Sequence, residues 1–160
     1  MALSDEEIAP YVKELERLQD SSLYSAQAYF EAAKFSEAIG RLFVFIPALV
    51  SAVAGTIIAT GGDKTWGVAS AVSGAVAATA SYLGSERKSA SYKTSARRYT
   101  GLRHRLTFEA SILSNKDTLS EVEKITRSLT VEYQDIVAAD DPVSNFLYEK
   151  ARKRINVNAV

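Results

Sequence analysis

Apolar residues recur at helical spacing along most of the chain, and the alternating pattern of a strand is nearly absent. The first helix is predicted at about 4–40. Ser4 and Glu7 have the spacing of a capping box, in which each side chain caps a backbone N–H group of the other residue. Apolar positions from Ile8 to Leu15 then lie on one stripe. The pattern predicts an all-α protein, and 160 residues suit a single domain.

Two runs of nineteen residues without an ionisable group occupy the middle of the chain. The first, LFVFIPALVSAVAGTIIAT at 42–60, is apolar on every side, and the second, TWGVASAVSGAVAATASYL at 65–83, is rich in alanine and serine. Nineteen residues of helix extend about 28 Å, close to the thickness of a bilayer's hydrocarbon layer. The GGDK between them is a turn by composition. We therefore predict a transmembrane hairpin with spans at about 42–60 and 66–83 and a tip at 61–65.

The helix of the second span is predicted to continue into the cytoplasm, to about residue 114. Tyr92, Tyr99, Leu106 and Leu113 recur every seven residues, which is the spacing of a coiled-coil seam. The predicted architecture is thus a two-helix transmembrane hairpin continuous with a cytoplasmic helical bundle.

Two shorter helices, at about 118–139 and 142–155, are predicted to complete the bundle. Thr118 and Glu121 repeat the capping-box spacing before an apolar stripe. Asp141–Pro142 is typical of a cap followed by a proline in the first helical turn.

Charge is distributed in blocks that the formal net charge of zero conceals. Residues 42–84 contain one aspartate and one lysine, whereas residues 85–115 contain seven basic and two acidic residues. Basic residues flank both spans on the side away from the tip, so the positive-inside rule predicts that both termini are cytoplasmic. A collar against anionic lipid headgroups is the favoured interpretation of these cations, and binding of an anionic second messenger is the alternative. The predicted collar contains Lys34, Arg41, Arg87, Lys88, Lys93, Arg97 and Arg98.

Small and hydroxyl-bearing residues are spread over both runs. Small residues spaced by four allow close packing of helices in a membrane, and a helix that is smooth on several faces favours a homo-oligomer. Pro47 lacks a backbone donor and is predicted to kink the first span. The predicted packing residues are Ser51, Gly55, Ala59, Ser70, Gly74 and Ala78. The candidate pore-lining hydroxyls are those of Thr56, Thr60, Ser73 and Thr79.

The same runs have a second interpretation, as the buried core of a soluble or peripheral helical scaffold that binds partner proteins. The alanine-rich second run suits such a core. The uncharged length and the flanking charge favour the membrane instead, as do the aromatic residues Trp66 and Tyr82 near the ends of the second run. The first forty residues are charged and lack the apolar core of a signal peptide, so insertion is expected to use an uncleaved first span.

Chemistry-bearing motifs are sparse. The sequence contains no cysteine, which excludes disulfides and thiolate metal sites. His104 stands alone among arginines and is interpreted as a surface residue. Gly61–Gly62 lacks the lysine and hydroxyl residue of a phosphate-binding loop, and no serine lies in a nucleophile elbow. We predict a non-enzymatic protein without catalytic residues, metal or cofactor, and without nucleic acid as a partner.

Several segments resemble the SLATT family, the two-transmembrane effector domains associated with nucleotide-synthesising and nucleotide-sensing proteins in bacterial conflict systems. The resemblance covers about 20–155 and includes YFEAAK at Tyr29–Lys34 and PALVSAVAGT at Pro47–Thr56. It also includes the spacing of Ala90, Tyr92, Ala96 and Tyr99. The family implies an effector of antiviral defence and abortive infection in the bacterial inner membrane, which oligomerises into a pore on a cytoplasmic signal. It further implies a second-messenger synthetase or sensor protein as a partner in the same system.

Overall fold

The computed structural model describes residues 3–63, 65–82 and 85–158, and the secondary structure within them is helical. The all-α prediction is confirmed for this part of the chain. The elements are α1 (Asp5–Ala59), α2 (Thr65–Tyr82), α3 (Ser85–Ile112), a 3₁₀ turn (Leu113–Asn115), α4 (Leu119–Ala139) and α5 (Asn145–Asn158).

Helix α1 extends over both the predicted N-terminal helix and the predicted first span, with 55 residues in one element. Its start is the predicted capping box: the Ser4 N–H group donates to Glu7 Oε2 at 3.0 Å, and the Glu7 N–H group donates to Ser4 Oγ at 3.4 Å. These bonds satisfy two of the backbone donors that a helix start leaves unpaired. The helix is continuous past Pro10 and Pro47.

The predicted continuity between the second span and the following helix depends on Leu83 and Gly84, which lie outside the described residues. The same holds for Lys64 in the predicted tip. On either side of this junction, α2 ends at Tyr82 and α3 begins at Ser85.

The chain divides into two compact units, with boundaries between Ala32 and Ala33 on α1 and between Ser91 and Tyr92 on α3. The first unit combines the start of α1 with most of α3 and with α4 and α5. Its core contains the predicted seam of α3, where Tyr99, Leu106 and Leu113 are at most 2% exposed. Buried apolar residues of the other helices complete this core, among them Leu15, Leu18, Val122, Leu129 and Ile136.

Contacts between tyrosine rings join three helices of the first unit. Tyr29 of α1 stacks on Tyr99 of α3 with ring centroids 5.6 Å apart, and Tyr133 of α4 meets Tyr99 edge-on at 6.2 Å. The Tyr29 hydroxyl donates to the backbone carbonyl of Asp141 at 2.8 Å, which fixes the segment between α4 and α5. The spacing of the tyrosines predicted the seam, whereas the bond to Asp141 joins residues far apart in sequence.

The last helix begins three residues later than the predicted start at about residue 142. Helix α5 begins at Asn145, and residues 141–144 are not helical. The Asp141 carbonyl bonds to Tyr29, and the first backbone bonds of α5 run to the carbonyl of Ser144 instead. The second capping box is half formed, because Thr118 Oγ1 accepts from the Glu121 N–H group at 3.3 Å while the Glu121 carboxylate pairs with a lysine.

Alkaline pH should weaken the first unit through Tyr29. Burial, with the negative charge of Asp140 nearby, raises the pKa of Tyr29 to about 12. An unfolded tyrosine ionises near pH 10. The contribution of the buried neutral ring is therefore complete below about pH 10 and is lost as the pH rises towards about 12. We expect Tyr29→Phe to cost about 1 kcal/mol at neutral pH, from the lost hydrogen bond.

The measurement is denaturant unfolding of both proteins across this pH range. The free energies of unfolding of the wild type and of Tyr29→Phe should converge above about pH 10. A difference between the two that stays constant up to about pH 12 would contradict a buried neutral Tyr29.

Candidate functional site

The second unit contains the last part of α1, all of α2 that the structure describes, and the first turns of α3. A two-glycine turn ends α1. Gly61 has φ +86°, its N–H group donates to the Ile58 carbonyl at 3.0 Å, and the Gly62 N–H group donates to the Ile57 carbonyl at 2.9 Å. This is a Schellman motif, in which the left-handed residue is usually glycine because a side chain is strained there. A Cβ atom on Gly62 would lie 2.7 Å from the Ile57 carbonyl oxygen.

The start of α2 is fixed by Asp63. Its carboxylate accepts from the Thr65 N–H group at 3.1 Å, and its backbone carbonyl accepts from the Trp66 N–H group at 3.2 Å. The one acidic residue of the apolar region thus satisfies donors that the helix start leaves unpaired. The composition GGD therefore has a local structural reason: the two glycines end α1, and the aspartate caps the start of α2.

Helices α1 and α2 touch along a seam of small residues. Ser51 Oγ donates to the Ser70 backbone carbonyl at 3.2 Å, and a Cβ atom on Gly67 would be in ordinary contact with Ile58 Cδ1 at 3.7 Å. Pro47 and Ala54 are the buried residues on the same side of α1. Positions 47, 51, 54 and 58 of α1 are separated by steps of four, three and four, which follow one face of a helix with 3.6 residues per turn.

Some of the predicted packing residues lie on this seam, and others lie outside it. Ser51 and Ser70 are brought together, whereas Gly55 and Gly74 are exposed and have open space where a Cβ atom would lie. Ala59 and Ala78 are exposed as well. Positions spaced strictly by four rotate about 40° per step, so such a stripe leaves the seam within two steps.

From Leu42 onwards, most of the α1 surface away from the seam is apolar and is not covered by the residues that the structure describes. Between residues 42 and 58 nine large apolar side chains are 37–67% exposed, and Phe45 is the most exposed of them. Only 11% of the most apolar window of α1 is buried. The exposed set is Leu42, Phe43, Val44, Phe45, Ile46, Leu49, Val50, Val53 and Ile58, with Trp66, Val68, Val72 and Val76 on α2. Water-soluble monomers rarely expose a contiguous apolar patch of this extent.

The candidate pore-lining threonines use their hydroxyl hydrogens within their own helices. Thr56 Oγ1 donates to the Ala52 carbonyl and Thr79 Oγ1 to the Ala75 carbonyl, each at 2.9 Å. Thr60 Oγ1 lies 3.1 Å from the Thr56 carbonyl. Ser73 is half-buried. A donor that is satisfied in this way can enter an apolar medium at low cost, and the hydroxyl oxygen still accepts.

The predicted collar is divided between the two units. Lys34, Arg41, Arg87 and Lys88 belong to the second unit, and Lys93, Arg97 and Arg98 belong to the first. The first four are exposed. Arg41 also pairs with Glu37 one helical turn earlier.

Arg97 and Arg98 line a groove of about 420 Å³ between α3 and α4. The groove also contains Arg105, Glu132 and Asp135. Arg105 Nη1 donates to both oxygens of Glu132 at 2.6 and 2.7 Å, so that one of the three guanidinium groups is neutralised. The groove therefore has mixed charge, a feature that the basic block in the sequence did not predict.

One helix of the described part of the chain, α1, is long and apolar enough to cross a membrane. Helix α2 does not reach that standard, because alanine, serine, threonine and glycine make up most of its 18 residues. The core helix of a soluble protein can pass the same criterion, although such a helix is mostly buried. Among the described residues no cluster of histidine, aspartate and glutamate could hold a metal ion.

No family model, curated protein or solved structure matches this chain. The resemblance to the SLATT family stays a prediction that rests on the motifs quoted above.

Two glycine substitutions should have opposite effects on the second unit. Gly62→Ala places a methyl group against Ile57, including its carbonyl oxygen, and should destabilise the turn by about 1–3 kcal/mol. Gly55→Ala places the same group in open space and should stabilise α1 by up to about 1 kcal/mol. Thermal unfolding of monomeric protein in detergent micelles measures both. A Gly62→Ala protein as stable as Gly55→Ala would contradict the geometry of the turn.

Proposed function

We propose that this protein is a membrane effector of a bacterial defence system, which inserts α1 from about residue 42 and α2 into the inner membrane. Both termini are cytoplasmic in this proposal. On a cytoplasmic signal, several copies assemble in the bilayer and permeabilise it. The single observation that carries the membrane part is the uncovered apolar surface of α1 between residues 42 and 58.

The free energy at stake in covering this surface is large. Fully burying one large apolar side chain contributes about 1.5–3 kcal/mol. Nine such side chains of α1 are each about half exposed, so that covering them is worth on the order of 10 kcal/mol. That equals the whole stability of a typical domain, and the surface therefore requires lipid or protein against it.

The polar groups of the segment are compatible with lipid. Helices satisfy their backbone donors and acceptors internally, which a chain in the hydrocarbon layer must do. Thr56, Thr60 and Thr79 donate within their own helices, and Ser51 donates to α2. Asp63 lies in the turn between the helices and is exposed, where it can stay in water.

The weakly apolar helix α2 has a role in this proposal. Helices in lipid gain little from the hydrophobic effect between them and associate through close packing of small residues. One face of α2 meets α1 at Ser70, while Gly74 is open towards a neighbour. Gly55 offers a similar open position on α1. These faces support assembly of several subunits.

The orientation and the signal follow from the flanking charge and the family resemblance. Lys34, Arg41, Arg87 and Lys88 flank the apolar segments on the side away from the turn, as the positive-inside rule requires of the cytoplasmic side. Cations near an anionic membrane surface contribute about 1 kcal/mol each. By its resemblance to the SLATT family, the chain would respond to a second-messenger synthetase or sensor protein of the same system.

A specific observation favours a second candidate, a helical scaffold that binds partner proteins. Among the described residues, helix α2 does not meet the criterion of length and composition that α1 meets. In a scaffold, the exposed face of α1 would be buried between copies of the chain or against a partner. A third form, a membrane-anchored adaptor, would insert without permeabilising the bilayer.

Dye release from anionic phospholipid vesicles separates the three candidates. At a high protein-to-lipid ratio, where crowding in the bilayer drives assembly without the signal, the effector should float with the vesicles and release the dye. Gly55→Leu and Gly74→Leu should each abolish release while flotation persists, because the larger side chains block the open faces. Gly101→Leu is the matched control, since Gly101 is equally open but lies in the first unit.

The other outcomes identify the alternatives. Flotation without release by the wild type would indicate the adaptor. Recovery of the protein away from the vesicles, without dye release, would indicate the scaffold and reject membrane insertion.

A further inference from the structure

Helix α5 is attached to α1 through a buried carboxylate. The Glu31 side chain is 2% exposed and accepts from Arg154 Nη1 at 2.5 Å and from Lys150 Nζ at 3.2 Å. Gln27 Nε2 of the preceding turn of α1 lies 3.4 Å from the same carboxylate. The two cations are themselves 53% and 56% exposed. Glu31 is part of the YFEAAK motif, whose sequence did not indicate these contacts.

Few apolar side chains attach α5 to the rest of the first unit. Leu147 and Ala151 are the buried residues of α5 among those whose burial is described. Phe146 is 68% exposed and Tyr148 is 44% exposed. A helix of 14 residues is marginal in water by itself. The ion pairs to Glu31 therefore supply a large share of what keeps α5 folded against α1.

The geometry at Glu31 also allows α5 to detach without unfolding the remaining helices. A buried carboxylate that loses its partners is costly while it stays buried. Removal of α5 would take away the helix that carries two of those partners and would give Glu31 access to water. The core residues Tyr99, Leu106 and Val122 belong to other helices and keep their contacts with α1 and with one another.

We propose that α5 is a detachable clamp on α1, held by the ion pairs of Arg154 and Lys150 with Glu31. The clamp acts on the last helical turn that α1 contributes to the first unit, since Ala32 is the boundary residue. The apolar half of α1 begins ten residues later along the same helix, at Leu42. Release of α5 removes one contact from α1 shortly before the segment that the proposed function inserts into the membrane. This regulatory consequence rests on the proposed function, whereas the clamp itself does not.

Hydrogen–deuterium exchange of the full chain tests the clamp. Glu31→Gln keeps the shape of the side chain and a hydrogen-bond acceptor but removes the charge. Exchange of the α5 amides should accelerate about tenfold to a hundredfold, as expected for lost charge-assisted hydrogen bonds, while α4 stays as protected as in the wild type. Arg154→Gln should also accelerate exchange in α5, because it removes a cationic partner of Glu31.

Glu149→Gln is the matched control. Glu149 lies on α5, makes the same change of charge on substitution, and pairs with Arg152 of its own helix at 3.8 Å. It should leave exchange in α5 near the wild-type rate. The double variant Glu31→Gln/Arg154→Gln should exchange little faster than either single variant, because both remove one shared interaction.

Salt provides a test that needs no substitution. Raising sodium chloride from about 0.01 M to about 1 M shortens the screening length from about 30 Å to about 3 Å. Exchange in α5 of the wild type should rise while α4 is unaffected. Equal exchange in α5 of Glu31→Gln and Glu149→Gln would overturn the clamp, and so would α5 and α4 opening together in every variant and at every salt concentration.

Dye release with the same variants separates this inference from the proposed function. Glu31→Gln should release dye at lower protein concentration than the wild type, and Glu149→Gln should not. Faster α5 exchange without dye release from any protein would uphold the clamp and reject the permeabilising function. Dye release by the wild type with unchanged α5 exchange in Glu31→Gln would do the reverse.

Discussion

The apolar side chains of α1 from Leu42 to Ile58 must be covered by lipid or protein, and this requirement governs the second unit. Among the described residues, the cover that the chain supplies lies along the seam that faces α2, around Ser51 and Ala54. The remaining sides carry side chains such as Phe45, which is 67% exposed. Since the hydrophobic effect disfavours this surface in water, the second unit is complete only with lipid or protein around it.

The first unit has a core that is closed by contacts within the chain. Its heptad seam on α3, the tyrosine contacts among three helices and the Glu31 ion pairs are all internal to it. The two units therefore differ in kind: one has a closed core, and the other has an open apolar surface with a satisfied backbone. Helix α1 contributes to both, and Glu31 lies immediately before the boundary. Because Glu31 lies at this position, the attachment of α5 can regulate α1 close to the start of the second unit.

Features set by local sequence were predictable, and those set by helix rotation or by distant partners were not. The capping box at Ser4 and the seam through Tyr99 follow from spacing along one helix, and both are present. Gly55 and Ser51 look alike as members of a four-residue stripe, yet only Ser51 faces α2, because the stripe rotates around the helix. The contact between Arg154 and Glu31 spans 123 positions, and no local pattern encodes it. The outcome for the exposed face depends on what surrounds the chain, which neither spacing nor geometry specifies.

Tryptophan quenching by brominated phospholipids in reconstituted vesicles tests the insertion of α1 most directly. Trp66 is the single tryptophan, so replacing it with phenylalanine and Leu49 with tryptophan places one fluorophore in the middle of the exposed face of α1. If α1 is inserted, lipids brominated deep in the acyl chain should quench the fluorescence strongly, and acrylamide in the water should quench it little. Strong quenching by acrylamide, or resistance to both quenchers, would show that water or protein surrounds this face and would contradict insertion.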